Sequence, residues 1–110
     1  MYLKELKNEK IILPEKFDIN DSCWHAFPIR SIRRNKIVKE LKKKKIETVI
    51  HYPLPPYKQK VYRQDFKNID KFDISSKIAN EIFSIPINPN LSKNDIEYII
   101  HSIKKILKKI

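Results

Sequence analysis

The chain has 110 residues, with 24 Lys and Arg against 13 Asp and Glu, a formal net charge of +11 and a single cysteine. That length holds one domain with a real but modest core, and lone Cys23 excludes a disulfide framework and a cysteine-based metal site. Glycine is absent, which excludes the glycine-rich phosphate loops of Walker and Rossmann type and leaves turns to Asn, Asp and Pro.

Residues 2–8 read as the tail of a helix, with Tyr2, Leu3 and Leu6 on one face. Ile11-Ile12-Leu13 is a brief apolar run closed by Pro14. Lys16 to Ser22 is polar and turn-rich. Cys23-Trp24-His25-Ala26-Phe27-Pro28-Ile29-Arg30 has the aromatic and apolar content of a strand, in which Pro28 implies an edge position or a bulge. Trp24 and Phe27 are expected in the core. Asn35 is placed to cap a helix whose apolar stripe is Ile37, Val38 and Leu41, with Lys42 to Lys45 facing water at its C-terminal end.

Thr48-Val49-Ile50 reads as a short strand that stops at Pro53, Pro55 and Pro56. Three prolines in four positions predict a stiff, extended loop that presents His51, Tyr52 and Tyr57 from a fixed backbone. Val61, Tyr62 and Phe66 follow, then a polar connection with Asp65, Asn68 and Asp70. The spacing of Ile74, Ile78, Ala79 and Ile82 predicts a helix over residues 74–82. Phe83-Ser84-Ile85-Pro86-Ile87 reads as extended, with Pro86 barring a central strand position. Ser92 caps a last helix in a box with Asp95, and Ile96, Ile99, Ile100, Ile103, Leu107 and Ile110 give it one apolar face. That face is expected to pack on the sheet.

The chemistry available is sparse. His101 falls one step outside the apolar stripe and is expected in solvent, while His25 beside Trp24 is expected as a partly buried, satisfied imidazole. No Asp or Glu stands at ligand spacing from a histidine, so no metal site is expected. Twenty of the basic residues are lysine, beside 20 isoleucines and eight asparagines. That usage is what an AT-rich genome writes into tolerant surface positions, whereas a phosphate reader favours the arginine fork. A solvated basic surface, with no nucleic-acid partner, is therefore expected. No apolar run approaches the ~20 residues of a membrane span, and the N-terminus lacks the apolar centre of a signal peptide, so a soluble cytoplasmic domain with no membrane partner is expected.

The run from His51 to Tyr62, H-Y-P-L-P-P-Y-K-Q-K-V-Y, resembles the H-Y-P-x-P-P-H-x-Q-x-x-Y segment of the DegT/DnrJ/EryC1/StrS nucleotide-sugar aminotransferases. Three further stretches agree in order and spacing. Trp24 to Arg30 resembles the strand that opens that family's small domain. Leu41 to Ile46 with Thr48 resembles its "L…GI.T" segment, and Ser84 to Leu91 its "SLPI.P.L" run before the final helix. The resemblance implies an α+β fold, a small and mainly antiparallel sheet with packed helices, as in the C-terminal domain of fold type I aminotransferases. Residues 1–110 would then be that C-terminal small domain, with the large domain that binds pyridoxal phosphate absent or separately encoded.

What the resemblance implies for function is transfer of an amino group, with glutamate the expected donor, to a keto sugar nucleotide. The double proline resembles members acting on dTDP-linked 3-keto-6-deoxyhexoses for surface polysaccharide. His51 and Tyr52 would bind substrate, the full-length family would form homodimers, and no pyridoxal phosphate would bind this chain alone because none of its lysines lies in the family's Schiff-base motif. Two departures stand out. Tyr57 replaces the family's second histidine, and Lys45 replaces a helix-terminal glycine, which forces a left-handed residue or a different helix exit. The rival readings are a stand-alone module that pairs with a separate large domain, and a basic binder of nucleic acid or anionic surfaces. Binding lost steeply with salt would favour the second.

Overall fold

The computed structural model describes residues 1–15, 23–62 and 72–110. The polar turn expected over Lys16 to Ser22 and the connection with Asp65, Phe66, Asn68 and Asp70 lie outside the described residues.

Two strands form the centre: β1 (Phe27–Arg30) and β2 (Ile82–Ile85), paired antiparallel with Phe27 opposite Ile85 and Ile29 opposite Phe83. Alternation puts those four side chains on one face, where all are buried, and sets Pro28 opposite Ser84 on the other. On the outer side of each strand stands one isolated antiparallel bridge, Ile12 to Arg30 and Val49 to Ser84. Proline explains why neither bridge grows in one of its two directions. Two residues further along, the first would set Pro14 against Pro28 and the second would set Glu47 against Pro86; a proline has no N–H to give.

This corrects three expectations. The strand begins at Phe27 rather than Cys23, and Thr48-Val49-Ile50 shrinks from a strand to the bridge at Val49. β2 is central, between β1 and Val49, because it ends at Ile85, before Pro86 can interrupt it.

Among the described residues there are four α-helices. α1 (Tyr2–Glu5) is shorter than expected but keeps its stripe, with Tyr2 and Leu6 buried. α2 (Arg34–Lys43) buries Ile37 and Leu41 completely. Its N-cap is Arg33 and not Asn35, because the chain turns earlier, at Ser31. The Ser31 hydroxyl accepts from the Arg33 amide at 3.2 Å and donates to the Lys10 carbonyl at 2.7 Å. Asn35 lies inside the helix, where its Oδ1 accepts from Arg34 Nε.

Lys45 takes the left-handed exit, at φ 58°. Around it the Ile46 amide bonds the Leu41 carbonyl and the Lys45 amide bonds the Lys42 carbonyl, the double closure that glycine usually serves. α3 (Asp73–Glu81) runs without a loop into β2. Its apolar spacing is only partly used, since Ala79 is buried while Ile74 is 76% exposed.

α4 (Lys93–Lys109) starts with the expected reciprocal box between Ser92 and Asp95. Those hydrogen bonds hold the Asp95 carboxyl below its ordinary range. Its buried face is wider than the sequence stripe, taking in Ser102 and Ile106 as well as Ile99, Ile100, Ile103 and Leu107. α2 packs against α4 and β2, and α3 against β1. One core results, joining α1, both strands, α2 and α4, with half-buried Trp24 tilted against Phe27 at 5.2 Å. The arrangement is α+β. Among the described residues no helix is long and apolar enough to cross a membrane.

Candidate functional site

The sheet face opposite the core carries Pro28 and Ser84, and the chain after Val49 turns across it. Ser84 is buried, and its Oγ lies 3.3 Å from His51 Nδ1. His51 is itself exposed, so one edge of its ring is held and the other faces solvent. The His51–Tyr52 peptide is cis. The Tyr52 ring meets the imidazole edge-on at 5.8 Å and is 74% exposed. A phenol left that far in water at a fixed angle is not packing the core; it is offered outward.

The loop beyond bends at Pro53 and Leu54, correcting the expectation of an extended loop. From Pro56 it folds into two single 3-10 turns, Pro56–Lys58 and Lys60–Tyr62, with proline at the first helical position as its fixed φ favours. Tyr57 is also corrected: it is buried, not presented. Its ring stacks on Phe72 at 4.7 Å, and its hydroxyl meets Ser76 Oγ and the Phe72 carbonyl. The Tyr57 hydroxyl is therefore spent inside the protein.

Beside His51 runs a shallow groove of about 280 Å³ whose walls include His25, Glu47, Ser84, Pro86 and Asn88. His25 is exposed, against the expected partly buried imidazole. The expectation for His101 holds, since it is exposed on α4. The sequence brings His51 and Tyr52 together as expected, but it gave no weight to Ser84 as the support of His51. The signal was there: one serine between Phe83 and Ile85 alternates to the opposite face of a strand.

Some charged groups elsewhere are tied into the fold. Arg30 Nη2 donates to Glu81 Oε2 at 2.9 Å, and Arg34 Nη1 donates to the Ala79 carbonyl at the end of α3. Arg30 and Arg34 are thus occupied within the fold. No group of three or more His, Cys, Asp or Glu able to hold a metal occurs among the described residues.

The described residues do not fit pyridoxal phosphate. None of their lysines is buried, and half-buried Lys10 gives its ammonium to the Leu107 and Ile110 carbonyls. The one buried carboxylate among them, Glu81, is paired with Arg30 rather than free to face a pyridine nitrogen.

A family model, the DegT/DnrJ/EryC1/StrS aminotransferase family, matches residues 1–104. The dTDP-3-amino-3,6-dideoxy-alpha-D-galactopyranose transaminase of Aneurinibacillus thermoaerophilus is 36% identical over 104 residues, 94% of this chain and 28% of that protein. The erythromycin biosynthesis sensory transduction protein EryC1 of Saccharopolyspora erythraea is 33% identical over the same shares of each. Among solved structures, S. venezuelae DesV in complex with a ketimine intermediate superposes with TM-score 0.87 at 27% identity, covering 94% of this chain and 28% of that one. A DegT DnrJ EryC1 StrS aminotransferase from Brucella abortus follows with TM-score 0.81 at 29% identity and the same coverage. The chain therefore spans little more than a quarter of the length of the relatives it matches.

Proposed function

The chain belongs to the DegT/DnrJ/EryC1/StrS aminotransferase family, and on that premise we propose that it is the C-terminal small domain of a pyridoxal-phosphate-dependent sugar aminotransferase. Its role is to bind and orient a keto sugar nucleotide, of the dTDP-3-keto-6-deoxyhexose class, beside a large domain that holds the cofactor. The amino donor is an amino acid such as glutamate, and the product serves surface polysaccharide or amino-sugar synthesis. The working protein is a soluble cytoplasmic homodimer. The cofactor supplies the electron sink for amino transfer, and that chemistry belongs to the large domain.

The observation that carries the reading is the pair His51 and Tyr52: one imidazole braced on buried Ser84, and one phenol held edge-on to it in solvent. Both can exchange hydrogen bonds with sugar hydroxyls or a diphosphate. On this reading the large domain carries out the transamination and the 110 residues supply the substrate side of the site.

Two measurements test this. Pyridoxal phosphate titrated into the purified chain, then reduced with borohydride, should leave no stoichiometric adduct; one specific lysine adduct overturns the assignment of the cofactor to another domain. In a full-length family member carrying residues 1–104 in place of its own segment, His51→Ala and Tyr52→Phe should each raise KM for the sugar nucleotide roughly tenfold, the loss of about one charge-assisted or neutral hydrogen bond. Unchanged kinetics in both variants would sink the substrate-binding role.

A further inference from the structure

His51 and Tyr52 sit at one end of a span whose other end is fixed by a different element. At the near end Ser84 of β2 holds the imidazole at 3.3 Å. Pro53 and Leu54 then cross solvent, both exposed, before buried Pro55 returns the chain to the protein. At the far end Tyr57 is 5% exposed, stacked at 4.7 Å and 20° on Phe72, and bonded through its hydroxyl to Ser76 Oγ on α3 and to the Phe72 carbonyl at 3.3 Å. The 3-10 turn that follows Pro55 brings this about. Lys58 and Gln59 donate their amides to the Pro55 and Pro56 carbonyls, which turns the Tyr57 side chain inward.

We propose that Tyr57 is a positioning residue: by tying the proline arch to Ser76 and Phe72 at the start of α3, it fixes the angle at which His51 and Tyr52 are presented. A span of five residues between the anchors His51 and Tyr57, three of them proline, has little freedom left, since prolines restrict the backbone and both ends are bonded. Releasing either anchor lets the arch swing. Phe72 immediately precedes α3, which runs directly into β2, so both anchors belong to one continuous stretch of chain, Phe72 to Ile85. The arch therefore moves with that stretch as a unit. The inference rests on the proposed binding role only for what the arch contacts; the tie itself exists without any ligand.

The test is made on the 110-residue chain, with no ligand present, so that its failure is separate from any failure of the substrate assignment. Tyr57→Phe keeps the ring and its stack but removes the hydroxyl, and Ser76→Ala removes the same bond from the other side. In each variant the Lys58 and Gln59 amides should exchange about five- to tenfold faster, as expected for one lost buried hydrogen bond. Amides in β2 and α4 should keep their rates. The nuclear Overhauser contacts between the His51 and Tyr52 rings should weaken, and the double variant should add little to either single one. Exchange that rises equally across the chain, or ring contacts that stay intact in both variants, overturns the proposal.

Discussion

The Ile46 amide reaches back to the Leu41 carbonyl at 3.1 Å, across a lysine in the left-handed region. Leu41 and Ile46 are both buried, so the closing turn also brings two core side chains together. The turn is worth keeping even though Lys45 pays for it in backbone strain of about 1–2 kcal/mol that glycine would not feel. Glycine in turn loses more chain entropy on folding. Lys45→Gly should therefore stabilise the domain by a net of about 0.5–1 kcal/mol in urea denaturation. A loss of stability would mean that the Lys45 side chain contributes more than its backbone costs.

Glu81 stands at the C-terminal end of α3, where a carboxylate opposes the helix dipole, and it is 7% exposed. Arg30 offsets both penalties through the bond at 2.9 Å, and Arg34 caps the adjacent carbonyl. Arg30 Nε is already buried without a partner. Glu81→Ala should thus cost about 2–3 kcal/mol, because it strands a mostly buried guanidinium as well as removing a charged hydrogen bond. Replacing the pair together, Arg30→Met with Glu81→Leu, should cost clearly less than Glu81→Ala alone. Thermal denaturation of the three variants checks the order.

Tyr2 joins α1 to the end of β2, its hydroxyl donating to the Pro86 carbonyl at 2.9 Å. Burial pushes its phenol up to about 12 from an ordinary 10.0. The folded state therefore binds the proton more tightly than the unfolded chain does. This contribution is complete below pH 10 and is lost as pH rises toward 12, amounting to about 2 kcal/mol. Tyr2→Phe should lose about 1 kcal/mol at neutral pH with the hydrogen bond, yet show a smaller fall in stability between pH 10 and 12 than the parent. An identical alkaline fall in both proteins would assign it to other groups.

These relationships differ in how far they could be read from residues alone. The α4 box at Ser92 and Asp95 is legible because both partners lie within one turn, and the Lys45 exit because glycine is missing where a helix ends. The extent of the pairing at Ile12 and Val49 is not legible, for a different reason. Proline acts on the partner across the ladder, so Pro14 against Pro28 and Pro86 against Glu47 become visible only once the register is known. Asn35 failed as a cap because Ser31, fixed by distant Lys10, turned the chain first. At the candidate site, the presentation of His51 and Tyr52 by the loop is legible, and both are exposed. The burial of Tyr57 is not legible, since nothing nearby in sequence announces that Phe72 and Ser76 will enclose it.

Tyr52 and Tyr57 make the sharpest contrast in the arch. Tyr52 is 74% exposed, so removing it deletes little buried surface, and Tyr52→Ala should move stability by no more than about 0.5 kcal/mol. Tyr57 is 5% exposed and stacked, so Tyr57→Ala empties a filled site and should cost about 3–5 kcal/mol. Urea denaturation of both variants separates them. If Tyr52→Ala proves as costly as Tyr57→Ala, the ring packs against the protein in solution and is not available to a ligand. If the contrast holds, any binding lost on substituting Tyr52 reports a contact made by its side chain, because the fold beneath it has not changed.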